Sequence, residues 1–129
     1  MVNGSQLHND NLTLGKRGEE IAVSYLKGRK FTVVTRNFRC KGGEVDIVAR
    51  DGKTYVFVEV KTRRTLSCGP PQASVTPFKQ RQISKAALTW LAKNRLHEAN
   101  ARFDVIAILL REHQVPEIEH IRNAFDLAY

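Results

Sequence analysis

Gly43-Glu44-Val45-Asp46-Ile47-Val48-Ala49-Arg50-Asp51-Gly52-Lys53-Thr54-Tyr55-Val56-Phe57-Val58-Glu59-Val60-Lys61 reads as two β-strands joined by a tight turn. Charged side chains inside strands are costly to bury unless paired or bound to metal. Glu44, Asp46, Glu59 and Lys61 all sit in this one hairpin, which marks them as working residues. Asp51-Gly52 is a strong tight-turn signal, because both residues tolerate positive φ. With those two as the loop, Arg50 pairs with Lys53, Phe57 lies opposite Asp46, and Glu59 lies opposite Glu44. Side chains alternate along a strand, and paired residues share a face. Glu44, Asp46, Glu59 and Lys61 then share one face, while Val45, Ile47, Val56, Val58 and Val60 share the other. Asp46 and Glu59 become diagonal neighbours, about 7–8 Å apart at the backbone. A three-residue loop would flip one strand relative to the other, and the unbroken valine face argues against that slip.

Two carboxylates on such a diagonal can reach one ion between them. Magnesium suits two acids, because it keeps several waters and takes few protein ligands. A metal there can lower the pKa of a bound water and polarise a scissile phosphate. Lys61, two residues beyond Glu59, faces the same place and can orient water or neutralise charge developing on phosphate. The competing reading is a set of exposed cross-strand ion pairs, such as Glu59 with Lys61 or a neighbouring arginine, on a solvated face.

The chain has 129 residues, with 42% apolar content, which suits one soluble globular domain. Residues 1–13 read as a flexible polar tail and residues 14–129 as the single domain. The formal net charge is +8, from 21 basic and 13 acidic residues. That excess favours a polyanionic partner bound in a salt-dependent way. Cys40 and Cys68 show neither metal-ligand spacing nor a disulfide framework, so a reducing cytoplasm is the expected setting. No apolar run approaches the roughly 20 residues of a membrane span, and Met1 to Asn11 lacks the order of a signal peptide.

Leu14 to Arg29 reads as a first helix with a stripe of Ile21, Ala22, Tyr25 and Leu26. Glu19 lies toward the inward face. It either compensates the helix dipole or leans over the sheet and joins the acids of the hairpin. Phe31 to Phe38 is a first strand, followed by a basic turn at Arg39 and Lys41. Glu44 to Arg50 and Thr54 to Thr62 are the next two. Arg63 and Arg64 open a loop reaching Val75; this basic entry can touch a phosphate backbone or simply be solvated. Thr76-Pro77 is a good helix start, a capping hydroxyl followed by proline. That helix runs to about Lys93 and buries Ile83, Ala86, Ala87, Trp90 and Leu91. Trp90 therefore reads as core. Lys79 and Gln82 sit beside the stripe, and position alone favours a surface role for them, while Lys79, Arg81 and Lys85 give the helix a basic outer side. Phe103 to Leu110 is a nearly continuous apolar strand, as where both faces are covered, with Asp104 suited to capping or pairing with an arginine. Glu117 to Arg122 is a short final strand. The histidines, His8, His97, His113 and His120, are scattered and form no zinc or general-base cluster. The order is α-β-β-β-α-β-β, an α/β sandwich in which helices cover a mixed sheet whose first three strands form a meander.

Gly15-x-x-Gly18-Glu19, Asn37-x-Arg39, Gly43-Glu44-x-Asp46, Phe57-Val58-Glu59-Val60-Lys61 and Lys79 in the second helix closely resemble the YraN-like (UPF0102) family of small bacterial proteins. The match spans about residues 14 to 125. That family is similar to the restriction-endonuclease-like, PD-(D/E)xK nucleases, and in plan to archaeal Holliday-junction resolvases. The resemblance implies a three-layer core with a mixed sheet. It implies that Asp46 and Glu59 are ligands for magnesium or manganese, with Glu44 as a further metal-site acid. It makes Lys61 the catalytic lysine and Glu19 the helix-one acid. Arg39, Lys41, Arg63, Arg64 and Lys79 are the expected nucleic-acid contacts. Val45 stands where the superfamily signature has proline.

Three functions follow for test. The first is a metal-dependent endonuclease acting on DNA, extending to branched or structured DNA, with a homodimer as the assembly such small nucleases often adopt. The second is a non-catalytic nucleic-acid-binding module of the same fold. In the third, the charged cluster merely fixes hairpin register. Removing Asp46 and Glu59 should then raise stability in metal-free buffer by relieving repulsion between unpaired acids.

Overall fold

The computed structural model describes residues 4–65 and 69–129; residues 1–3 of the expected tail, and Cys68 in the loop, lie outside the described residues. The elements are α1 (Gly4–Gly28), β1 (Thr32–Cys40), β2 (Gly43–Asp51), β3 (Thr54–Arg63), a short 3₁₀ turn (Pro71–Ser74), α2 (Pro77–Lys93), β4 (Ala101–Leu109) and β5 (Glu117–Phe125). Their order is the α-β-β-β-α-β-β of the sequence reading. The sheet runs β1-β2-β3-β4-β5. Its first three strands form an antiparallel meander, β3 and β4 are parallel, and β5 returns antiparallel to β4. A parallel neighbour requires a crossover, and α2 supplies it.

Each helix covers one face. Ala22, Val23 and Leu26 of α1 pack on Ile47, Ala49, Val56, Val58, Ile106 and Ile108. Ile83, Ala86, Ala87 and Trp90 of α2 pack on Val48, Phe57, Phe103 and Val105. This is why β3 and β4 lack the simple alternation of a half-exposed strand. Trp90 is core, as its helical spacing implies, and its indole N–H donates to Thr35 Oγ1 at 3.1 Å. Local chemistry sets the helix ends. Thr76 Oγ1 accepts the Lys79 amide at 3.2 Å, with Pro77 at the first helical position. At the end of α1, Lys30 takes φ +69°. The amides of Phe31 and Lys30 reach back to the carbonyls of Leu26 and Lys27 at 2.9 and 3.0 Å. This is a left-handed C-terminal cap, made without glycine at the left-handed position. α1 begins at Gly4 rather than Leu14, and β5 extends to Phe125 rather than Arg122.

Asp104 is wholly buried on β4, and it pairs with an arginine as its chemistry requires. It accepts from Arg102 Nε at 3.0 Å, from His120 Nε2 at 2.7 Å and from the Asn123 amide at 3.0 Å. The other ring nitrogen, His120 Nδ1, shares a hydrogen bond with the Tyr25 hydroxyl at 3.1 Å. The network therefore ties β4, β5 and α1 together. Burial pushes the Asp104 carboxyl up, but the bonds from His120, Arg102 and Asn123 outweigh it and hold the group below the usual carboxylate range. A depressed carboxyl stabilises the fold above its unfolded pKa, and that contribution disappears as pH falls through the acid range.

We expect Asp104→Ala to lower the free energy of unfolding at neutral pH by about 1–3 kcal/mol or more, because it leaves the buried His120 Nε2 and the Asn123 amide without an acceptor. Urea denaturation measures this, and the gap to wild type should narrow as pH falls below the carboxylate range. A gap independent of pH would refute the ionised network.

Candidate active site

The β2–β3 hairpin corrects two expectations. The pairs are Asp51 with Thr54, Arg50 with Tyr55, Ala49 with Val56, Val48 with Phe57 and Ile47 with Val58. The loop is therefore Gly52-Lys53, one position later than the expected Asp51-Gly52. Only Gly52 of the two takes positive φ, +61°, as in a turn with glycine at its first central position. The register moves by two residues, so the faces survive. Continued one step past its last pair, this register would set Asp46 level with Glu59, and Phe57 pairs with Val48 rather than with Asp46.

The second correction concerns the valine face. Ile47 belongs to the α1 cluster, whereas Val45 belongs with Val48 to the α2 cluster. Alternation thus breaks at Asp46. The cause lies across the ladder in β1, where Asn37 falls between the Arg36–Ile47 and Phe38–Val45 pairs and adopts φ +53°. Arg36 and Asn37 both reach toward α1, and Phe38 returns to the α2 side. The described β2–β3 ladder ends at Ile47 and Val58. Beyond it, the Val60 amide donates to Asp46 Oδ2 at 2.8 Å. A carboxylate therefore takes the place of a ladder carbonyl, and the strands fork around it.

Glu59 lies beside that fork, with its side chain only 4% exposed. Its Oε2 is buried without a hydrogen-bond partner among the described residues. Burial, then a hydrogen bond with the Asp46 carboxyl and repulsion from it, push the Glu59 carboxyl up to about 8. Two ammonium groups oppose this, Lys79 Nζ at 3.6 Å and Lys61 Nζ at 4.0 Å. Lys79 also donates to Glu44 Oε1 at 2.9 Å, and Arg39 Nε stands 3.8 Å from Glu44 Oε2. Lys79 and Arg39 hold the Glu44 carboxyl below its ordinary range. Burial disfavours the Lys79 ammonium, but the bond to Glu44 and the neighbouring carboxylates raise its pKa on balance. Lys79 is thus a member of the site, not a surface residue. Only the first turn of α2, set by the Thr76-Pro77 cap, brings it there.

α1 closes the other side. Glu19 accepts from Asn37 Nδ2 at 2.8 Å and from Arg36 Nη2 at 3.4 Å. With the helix starting at Gly4, Glu19 is far from the N-terminal dipole, which removes the dipole-compensation reading. It lines a cleft of ≈ 670 Å³ together with Lys16, Asn37, Asp46 and Lys61. The close approach of α1 to β3 depends on Gly18, where a Cβ would collide with the Thr62 hydroxyl. The structure thus brings Glu19, Asp46 and Lys61 to one cleft, with Glu59, Glu44 and Lys79 across the fork. Arg39, Lys41 and Arg64 are exposed around it, and Arg63 Nη1 donates to Gly69 O at 2.6 Å. Among the described residues, no three His, Cys, Asp or Glu side chains gather as a metal-binding group, so the acids that meet are Asp46 and Glu59. Sequence reading misses Arg36 and the orienting role of Asn37. The usable signal is an asparagine, a residue that tolerates left-handed backbone, opposite an acid in a strand.

Fold and site together define a single-sheet α/β protein whose central strands part around an acid pair flanked by two lysines. Residues 18–108 match the model of the Uncharacterised protein family UPF0102. UPF0102 proteins of Geotalea uraniireducens and Geotalea daltonii are 77% and 69% identical over 120 and 121 residues, covering 93% and 94% of this chain and 94% and 95% of theirs. One from Rhodococcus opacus is 46% identical over 115 residues, covering 89% of this chain and 98% of its own. The chain belongs to the UPF0102 family.

A carboxyl whose folded pKa of about 8 exceeds its ordinary 4.5 holds a proton that the unfolded chain releases. Metal-free stability should therefore fall as pH rises between those values. We expect Glu59→Gln to melt at the same temperature as wild type at pH 5 and several degrees higher at pH 9, by calorimetry in chelator. Equal pH slopes would refute the buried proton. Asp46 differs, since Asp46→Ala would orphan the Val60 amide and destabilise by about 1–3 kcal/mol rather than relieve strain. Gly18→Ala should lose about 1–3 kcal/mol through overpacking in urea denaturation, and Thr62→Gly in the same chain should restore most of it; no restoration would mean the clash lies elsewhere.

Proposed function

We propose that this protein is a magnesium- or manganese-dependent endonuclease that hydrolyses phosphodiester bonds in DNA. The observation that carries this is Glu59: a buried acid, beside the Asp46 carboxyl, whose Oε2 accepts no hydrogen bond among the described residues. Setting a buried acid against a second carboxyl is unfavourable unless a proton or a cation is shared between them. The donor set fits magnesium, which takes one or two carboxylates and fills its remaining positions with water and substrate phosphate. When bound, such an ion supplies an activated water and a Lewis acid at the phosphate.

The chain's own groups would divide the rest. Asp46 and Glu59 hold the cation, with Glu44 close by through Lys79. Lys61, within reach of Glu59 at the mouth of the cleft, orients the attacking water or neutralises charge developing on phosphate oxygens. Glu19, oriented by Asn37, adds a carboxylate on the α1 side of the cleft that can accept a proton or position water. Arg39, Lys41, Arg63, Arg64 and Lys79 would contact the phosphate backbone. A chain of net charge +8 draws a polyanion toward its acidic centre. The likeness to resolvases extends the proposed substrates to branched DNA, and with them a homodimer in the cytoplasm. Among the described residues no helix is long and apolar enough to cross a membrane.

One observation favours a non-catalytic nucleic-acid-binding module instead. Lys61 and Lys79 already supply positive charge to Glu59, which gives the acid a role without metal. Cleavage of supercoiled plasmid, duplex, flap and four-way-junction DNA with manganese separates the two. We expect wild type to cut, and Asp46→Asn and Lys61→Ala to be slower by about 100-fold or more. The asparagine keeps an acceptor for the Val60 amide, so the fold survives. Manganese at 100 times its Kd should stabilise wild type by about 2.7 kcal/mol and leave Asp46→Asn unchanged. No cleavage of any substrate, with no thermal shift, would favour binding alone.

A further inference from the structure

We propose that the outer stripe of α2 is a docking surface for an unpaired nucleic-acid strand, whose bases stack on Phe78 and Tyr129 while its phosphates meet Arg81 and Lys85. This rests on reading the protein as one that handles nucleic acid, but not on its cutting it. Phe78 is 62% exposed and Tyr129 is 92% exposed. Water-exposed rings of this size on a folded surface are stranded apolar area, and here both line one groove of ≈ 410 Å³. Phe78, Arg81 and Lys85 follow one another at i, i+3 and i+7, so they run along one side of the helix.

Among the described residues, the charged side chains lining this groove are all basic, and neither Asp nor Glu faces it. Arg81 and Lys85 are exposed and form no ion pair among the described residues, unlike Lys79 on the next face of the helix. Gly42, at φ +77°, lets Lys85 lie across the β1–β2 turn, since a Cβ there would meet Lys85 Nζ at 3.0 Å. A ligand must therefore be anionic and must also offer flat apolar faces. A strand of unpaired nucleotides alternates phosphates and bases, and every base has a face that can stack on an aromatic ring. In a duplex those faces are already stacked on each other and cannot meet Phe78. The stripe also begins beside the candidate site, because Phe78 precedes Lys79, which touches Glu44 and Glu59. A strand lying along α2 would thus lead directly into the fork.

The test is binding, in chelator, so that no cutting occurs. Fluorescence anisotropy would compare labelled oligothymidylate with a duplex, using the full chain. We expect Phe78→Ala to weaken single-strand binding by about 10-fold, the loss of one stacked base, with duplex binding unchanged and Phe78→Trp fully active. The double variant Arg81→Ala, Lys85→Ala should reduce the slope of log affinity against log salt by about 1.4, two phosphate contacts on a single strand. Phe78 and both cations are exposed, so the variants should melt like wild type, and thermal denaturation checks this. Equal loss for single strand and duplex, or no loss, overturns the proposal. So does Phe78→Ala converting a wild-type dimer to monomer in sedimentation while strand binding persists, since the surface would then join two copies. Either failure leaves cleavage by the acid pair standing. Conversely, a chain that binds strands through Phe78 but cuts nothing would retain this surface and lose only the nuclease.

Discussion

The geometry at the centre of the molecule follows from one hydrogen bond, that of the Val60 amide to Asp46 Oδ2. In an uninterrupted antiparallel ladder that amide would find a carbonyl on the neighbouring strand. Here a side chain satisfies it, so β2 and β3 can separate without leaving a buried donor unpaired. The separation opens a space at the middle of the sheet, where backbone positions are rigid. It also fixes Asp46 in place, because its carboxylate completes the main-chain bonding of the next strand. Glu59, one residue before Val60, is then held next to Asp46 by covalent geometry.

That arrangement concentrates negative charge where solvent is excluded, and the surrounding elements respond. Burial and the Asp46 carboxyl push the Glu59 carboxyl up, Lys79 arrives from α2, and Lys61 reaches back from the end of β3. On the opposite side, Asn37 and Arg36 hold Glu19 against the cleft. The result is a polar seam running through a sheet whose two faces are otherwise covered by separate apolar clusters. Far from it, Asp104 represents the other way to bury an acid, with Arg102, His120 and a backbone amide arranged around it. Asp104 has its bonds satisfied and Glu59 does not, which separates structural charge from charge available for chemistry.

Much of this was legible in the chain. The alternation of valines with acids marks the hairpin, and a register error of two residues leaves faces unchanged, so grouping Asp46 with Glu59 survives the shifted turn. Thr76-Pro77 and the spacing from Ile83 to Trp90 determine α2 and its buried side, because capping and helical periodicity are local. The misreadings have non-local causes. The break in alternation at Val45 follows from the left-handed backbone of Asn37 in a neighbouring strand. The position of Lys79 depends on how α2 seats across β2, which helical position alone does not reveal. His120 looks isolated in sequence, and only the β4–β5 pairing brings it to Asp104.

The parallel β3–β4 pairing, in which Val58 meets Asp104, gives the protein an order of assembly. Contacts of the 43–63 hairpin are near in sequence and close a short loop, whereas joining β3 to β4 must close a much longer one, which is intrinsically slower. The helix that fills the longer loop is the one bearing Lys79. A chain that closes the hairpin first brings its two acids together before Lys79 has docked, and Lys61, which the hairpin itself carries, is the counter-charge at hand during that interval.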